Sequence, residues 1–122
     1  MPERSRDEER EQRIVMEIIV DAYGPEEQAM GWYYYLEQTL IFPFAARCIS
    51  ERSSSPLEIG DQVKVVGMPP EEDCEHEMLV LIERKRRPLA VPLAQLEGVE
   101  VGDETRQAIE DWHYWVEQGY EL

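Results

Sequence analysis

The sequence predicts an α+β chain: N-terminal helical segments, a small SH3-like antiparallel β-barrel and a C-terminal helix. Three observations carry this. Apolar residues recur at helical spacing near both ends of the 122-residue chain, the middle alternates apolar and polar with period two, and Gly, Pro and Ser clusters punctuate that middle into short pieces. No internal repeat or low-complexity linker divides the chain, so one domain over 1–122 is expected.

Residues 1–13 are almost wholly polar and read as a frayed or weakly helical tail. From Ile14 to Tyr23 the chain is apolar apart from Glu17 and Asp21. Its β-branched residues would suit a strand, but Ile14, Ile18 and Ala22 share a helical face, and a helix is the expectation. Gly24-Pro25 breaks it. Pro25 suits a first helical position, and Glu26 and Glu27 bring negative charge to the positive end of a helix running to about Thr39. Phe42-Pro43-Phe44 ends that helix, because proline disfavours helical backbone in the residue before it.

Strands are expected at Ala45–Ile49, Gln62–Val66, Met78–Glu83 and Leu89–Pro92, the last two forming a hairpin around the basic turn Arg84–Arg87. Strands this short and closely spaced are stable when closed into a barrel, which removes exposed edges. Pro92–Leu96 reads as a short turn. A final helix from about Glu104 to Gln118 carries Ile109, Trp112, Trp115 and Val116 and stops at Gly119.

Composition narrows the function. With 27 Asp+Glu against 12 Lys+Arg the net charge is −15, while 43% hydrophobic residues, including three Trp and six Tyr, argue for a packed fold. A phosphate backbone needs a basic surface that releases counterions, so nucleic acid is not an expected partner. Anionic membranes are disfavoured for the same reason. Apolar runs are too short to span a bilayer and the N-terminus lacks a signal-like apolar region, so a cytoplasmic protein is expected. Cys48 and Cys74 are then free thiols.

The densest chemistry lies in Pro69–Met78, where Glu71, Glu72, Asp73, Glu75 and Glu77 crowd one Pro-led loop. Carboxylates held together repel unless a cation or hydrogen-bond donors sit among them. Calcium takes roughly six to eight oxygens at about 2.3–2.6 Å, and a flexible loop of carboxylates can wrap it. If Glu75 and Glu77 begin the next strand they share one face, with His76 on the other. Taken alone, such a charge run is more often a solvated loop. Asp21, Glu26 and Glu27 form a second acidic group around Gly24-Pro25, equally explained as helix-terminus charge. This is not an EF-hand: a loop starting at Asp21 has Tyr23 and Pro25 at positions that need side-chain oxygens. Asp111 is a further candidate, if the fold brings it near the acidic loop.

Cys48, Cys74, His76 and His113 lack the paired spacing of a structural zinc site and read as buried thiols and hydrogen-bonded imidazoles. No phosphate loop, G-x-S-x-G turn or H-E-x-x-H helix is present, and no enzyme is expected. Trp32 with Tyr33, Tyr34 and Tyr35 could suggest a stacking platform. Consecutive helical positions point in different directions, however, and core packing with wet hydroxyl rims fits better.

The stretches Asp21–Glu37, Phe42–Phe44, Val66–Met78, Leu89–Leu93 and Asp111–Trp115 together resemble the CcbP-type calcium-binding proteins of cyanobacteria and other bacteria. The likeness runs from about residue 14 to the C-terminus. It implies an acidic, cytosolic Ca²⁺ binder without EF-hands that buffers or relays calcium. It also tips the acidic loop from solvated surface to metal site. It does not assign the ligands, so Glu71, Glu72, Asp73, Glu75, Glu77, Asp21, Glu26, Glu27 and Asp111 stand as candidates on their own pattern. Expected partners are calcium ions and a regulatory protein or protease. The alternative is an acidic protein–protein adaptor with no specific metal, and a weaker third reading is a small metal-dependent enzyme.

Overall fold

The computed structural model describes residues 7–120 and 122. Asp7 caps the first helix, α1 (Glu8–Arg13), by accepting a hydrogen bond from the Arg10 amide at 3.0 Å. Glu8 and Glu9 open it and Arg13 closes it, matching charge to the helix dipole at both ends. The part of the expected tail that is described is therefore an ordered helix, and residues 1–6 lie outside the described residues.

α1 runs on into a π-helical turn, Ile14–Ile18, marked by the Ile19 amide donating to the Ile14 carbonyl at 3.0 Å. The helix expected to reach Tyr23 thus stops five residues early. Ile19 leaves helical geometry, and Asp21 turns the chain with φ 59°, a left-handed conformation that a helix interior excludes. Ile14 and Ile18 share the buried face, as their spacing predicted.

α2 (Pro25–Thr39) has the expected bounds, with Pro25 at its start and Glu26 and Glu27 in its first turn. It buries Ala29, Trp32, Tyr33 and Leu36, the one-face pattern of a helix against a core. Gly31 is where it meets the π turn: a Cβ there would lie 2.4 Å from the Ile18 carbonyl oxygen.

The strands β1 (Phe44–Cys48), β2 (Gln62–Gly67), β3 (Leu79–Ile82), β4 (Leu89–Pro92) and β5 (Leu96–Val99) form one antiparallel sheet in the order β4-β3-β2-β1-β5. Phe44, Ala46 and Cys48 alternate inward along β1, and β1 pairs on both sides, Ala46 opposite Val63 and Gly98. A bulge between Val65 and Gly67 shifts the β2–β3 register. The β3–β4 hairpin pairs Val80 with Val91 and holds the basic turn at its tip.

The expected barrel does not close. Among the described residues β4 and β5 form no ladder with each other; they are the two ends of the sheet order, joined by a 3₁₀ turn at Leu93–Gln95. Helices cover the apolar face that closure would have covered. α3 (Asp103–Glu117) packs on β5 and on that 3₁₀ turn, and contacts α2. β5 had no counterpart in the sequence expectation: with Glu97 and Gly98 among its four residues it has weak strand propensity and is held by pairing with β1.

One apolar cluster joins the inward strand residues to the helices. At its centre Trp32 packs edge-on to Trp112 with ring centroids 5.0 Å apart, and Trp112 stacks on Trp115 at 5.5 Å. Beside it lies Asp111, fully buried on α3. Arg13 donates to both its oxygens at 2.7 and 2.9 Å, the Arg10 Nε lies 3.2 Å away, and the Tyr35 hydroxyl donates at 2.8 Å. The carboxylate raises the Arg13 pKa, so this guanidinium stays charged at any ordinary pH.

Two substitutions test this packing. Gly31→Ala should destabilise by about 1–3 kcal/mol in chemical denaturation, although alanine is the better helix former, because the backbone of the π turn must move. Asp111→Asn, which leaves two arginines facing a neutral group, should cost about 3–5 kcal/mol by the same measurement.

Candidate calcium-binding site

The acidic loop forms a single 3₁₀ turn, Glu71–Cys74, with the Asp73 amide donating to the Pro70 carbonyl at 2.9 Å. The Cys74 side chain is buried and anchors the turn from below, its sulfur accepting from the Leu79 amide at 3.4 Å. Burial pushes the Cys74 thiol above its ordinary pKa, and both cysteines are free. With Cys74 directed inward, Glu71, Glu72 and Asp73 are exposed.

The turn docks on α2 through two tyrosines. Tyr33 donates its buried hydroxyl to the Pro69 carbonyl at 2.6 Å, and Tyr34 donates to Glu71 at 2.8 Å. Tyr35, one residue on, faces Asp111. Two of the three consecutive tyrosines thus reach the acidic turn, their rings edge to face at 5.7 Å, and the third reaches the interior carboxylate. Each phenol pKa is raised: Tyr33 and Tyr35 chiefly by burial, and Tyr34 chiefly by its hydrogen bond to the Glu71 carboxylate.

Docking the turn against the start of α2 makes a cleft of about 270 Å³ whose carboxylates come from both acidic groups: Glu26 from α2, and Glu71, Glu72 and Glu75 from the loop, with Ala29 and Met30 as its apolar wall. All four glutamates are exposed, and among the described residues none is ion-paired. Other acids are engaged: Glu97 with Arg47, Asp103 with Arg106, Glu77 with Arg52. The donors are all hard oxygens and fit a hard divalent cation. They are not gathered into a finished coordination sphere, since among the described residues no three His, Cys, Asp or Glu side chains are placed to hold an ion. The cleft supplies the chemistry, and closing the turn onto an ion would supply the geometry.

The remaining candidates lie elsewhere. Glu75 and Glu77 do not begin a strand; β3 starts at Leu79, and residues 75–77 bend. In place of a shared face, Glu75 lines the cleft while Glu77 joins His76 in a separate depression against Trp112 and Trp115. Glu27 accepts from the Tyr23 amide at 2.7 Å and so ties the turn before α2 to its first coil. Asp21 and Asp73 are exposed but do not line the cleft. Asp111 does not approach the acidic loop as a ligand: its oxygens are taken by Arg10, Arg13 and Tyr35 in the interior. Sequence reasoning did not assign Tyr33 and Tyr34 a place at this site. Their hydroxyls at the i and i+1 positions of an amphipathic helix were the available signal.

The phenols set a pH window. Each raised pKa means the fold retains a proton that the unfolded chain gives up above about pH 10. Their contribution is complete below that pH and lost as pH rises through the folded values. In a spectrophotometric titration the folded protein should therefore reach full phenolate absorbance at higher pH than the chain in denaturant, and unfolding free energy should fall above about pH 10.

Comparison with known proteins gives a consistent result. A family model for CcbP-type proteins, described as calcium binding, matches residues 12–116. Two solved structures match with the whole of each chain covered and a TM-score of 0.86: the crystal structure of Anabaena CcbP, 41% identical, and a structure described as a calcium binding protein in the calcium-binding form, 40% identical. No curated protein sequence matches the chain.

Proposed function

The chain belongs to the CcbP family of calcium-binding proteins, and from that premise we propose that it takes up Ca²⁺ in the cleft between α2 and the acidic turn, with Glu26, Glu71, Glu72 and Glu75 as protein ligands. The observation that carries the assignment is the convergence of carboxylates from two separate elements on one cleft, with no cation partner among the described residues. Bringing like charges together is unfavourable in the metal-free protein, and a +2 ion reverses the sign of that interaction. Asp21, Glu27 and Asp73 lie on the adjoining turns and add to the negative field without lining the cleft.

The larger ion suits this arrangement. Mg²⁺ demands near-octahedral geometry and gives up its waters reluctantly, whereas Ca²⁺ accepts many oxygens in a flexible shell. The exposed, unassembled carboxylates favour the ion that tolerates irregular coordination. On this reading the protein is a cytosolic calcium buffer or relay that performs no chemistry of its own. Its two buried free thiols suit a reducing compartment. A regulatory protein or protease that distinguishes the calcium-loaded form would complete a relay.

Calorimetric titration of the chelator-stripped protein with CaCl₂ in excess Mg²⁺ tests the assignment. Wild type should bind saturably, and Glu71→Gln/Glu72→Gln/Glu75→Gln should lose that binding, while Glu77→Gln should keep it. Calcium at about 100 times Kd should stabilise wild type by about 2.7 kcal/mol, read as a rise in Tm. A triple variant with the wild-type isotherm would remove the ion from this cleft.

A further inference from the structure

The outer face of the N-terminal helix is apolar and exposed. Ile14 and Ile18 turn into the core, which leaves Val15 and Met16 on the other side, 50% and 63% exposed, and Val20, in the turn that follows the helix, is 53% exposed. Scattered exposed aliphatics are ordinary; a contiguous apolar patch with a polar rim marks an interaction site. Val15 and Met16 belong to one continuous surface. Two adjoining depressions share Val15 and Glu11: one reaches Ile19, Trp115 and Tyr120, the other Met16, Glu8 and Glu9. Apolar Val15, Met16, Ile19 and Trp115 thus lie beside acidic residues of α1.

We propose that this face docks a basic amphipathic helix of a partner protein, its apolar side on Val15, Met16, Ile19 and Val20 and its Lys and Arg side chains toward Glu8 and Glu9. Charge complementarity selects the occupant. An acidic rim on a chain of net charge −15 attracts a cationic helix and orients it. The same field opposes a second copy, which would bring two acidic rims together, and opposes an anionic membrane. An amphipathic helix presents apolar residues at i, i+3, i+4 and i+7 on one side and its cations on the other, the pairing this surface offers.

Fluorescence anisotropy of the full chain with a labelled synthetic Leu/Lys amphipathic helical peptide, at about 0.15 M ionic strength, reads the proposal directly. A scrambled peptide of the same composition should bind at least about tenfold more weakly. Val15→Ser/Met16→Ser/Val20→Ser should lose at least about tenfold in affinity at unchanged net charge. Its Tm should stay near wild type, because these side chains are exposed. Glu8→Gln/Glu9→Gln should weaken binding and flatten its salt dependence. Equal binding of the two peptides, or full retention by the serine variant, would overturn the proposal and leave only attraction to a diffuse acidic surface. Self-association of the peptide-free chain in sedimentation equilibrium, abolished in the serine variant, would also overturn it by making a second copy the occupant.

Discussion

Everything in the helical layer depends on one buried carboxylate. Asp111 sits on α3 with no exposure, and the groups that satisfy it come from two other helical segments: Arg10 and Arg13 from α1, and Tyr35 from α2. An uncompensated charge at that depth would cost several kcal/mol, so the three segments are obliged to meet there. The tryptophan cluster beside it buries three large rings, but burial of apolar area is non-directional. The bidentate Arg13 contact fixes register, and with it the approach of the N-terminal helix to α2 at Gly31.

α2 carries that order to the calcium site. One face is set by Tyr35 on Asp111; the two positions before it in the chain, Tyr33 and Tyr34, hold the Pro69 carbonyl and the Glu71 side chain in place. A single helix thereby links a compensated interior charge to an uncompensated surface cluster. The contrast is functional. Where the protein needs rigidity it sets arginines on its carboxylate, and where it is proposed to hold an ion it sets none among the described residues.

Much of this was legible in the sequence, for local reasons. α2 and α3 show clean one-face periodicity and strong stop signals, so their bounds match within a residue or two. The turn-delimited strands β1 to β4 were also readable. β5 was not, because Glu97 and Gly98 have little preference for strand and only the partner β1 imposes it. Barrel closure was a global inference from spacing, and spacing does not tell whether a sheet's apolar face is covered by itself or by helices. At the site, the carboxylates were visible as a charge run. Which of them converge was not, since Glu26 and Glu71 are far apart in the chain and meet only through the tyrosine contacts. Asp111 shows the converse: a lone acid beside tryptophan looks the same in sequence whether it meets a metal or two arginines.

The π turn at Ile14–Ile18 has a bearing on how the chain length can vary. Such a turn holds one residue more than an α-helical turn of the same span, and the hydrogen bond from Ile19 to Ile14 closes the larger ring. Loss of one residue within it would restore α-helical bonding in place of breaking the helix. The segment before it, with Arg10 and Arg13, would keep its seat on Asp111, and the segment after it would take up the change in phase before the turn at Asp21. A gap inside this helix would therefore leave α1 on its buried carboxylate and be felt where Ile18 lies against Gly31.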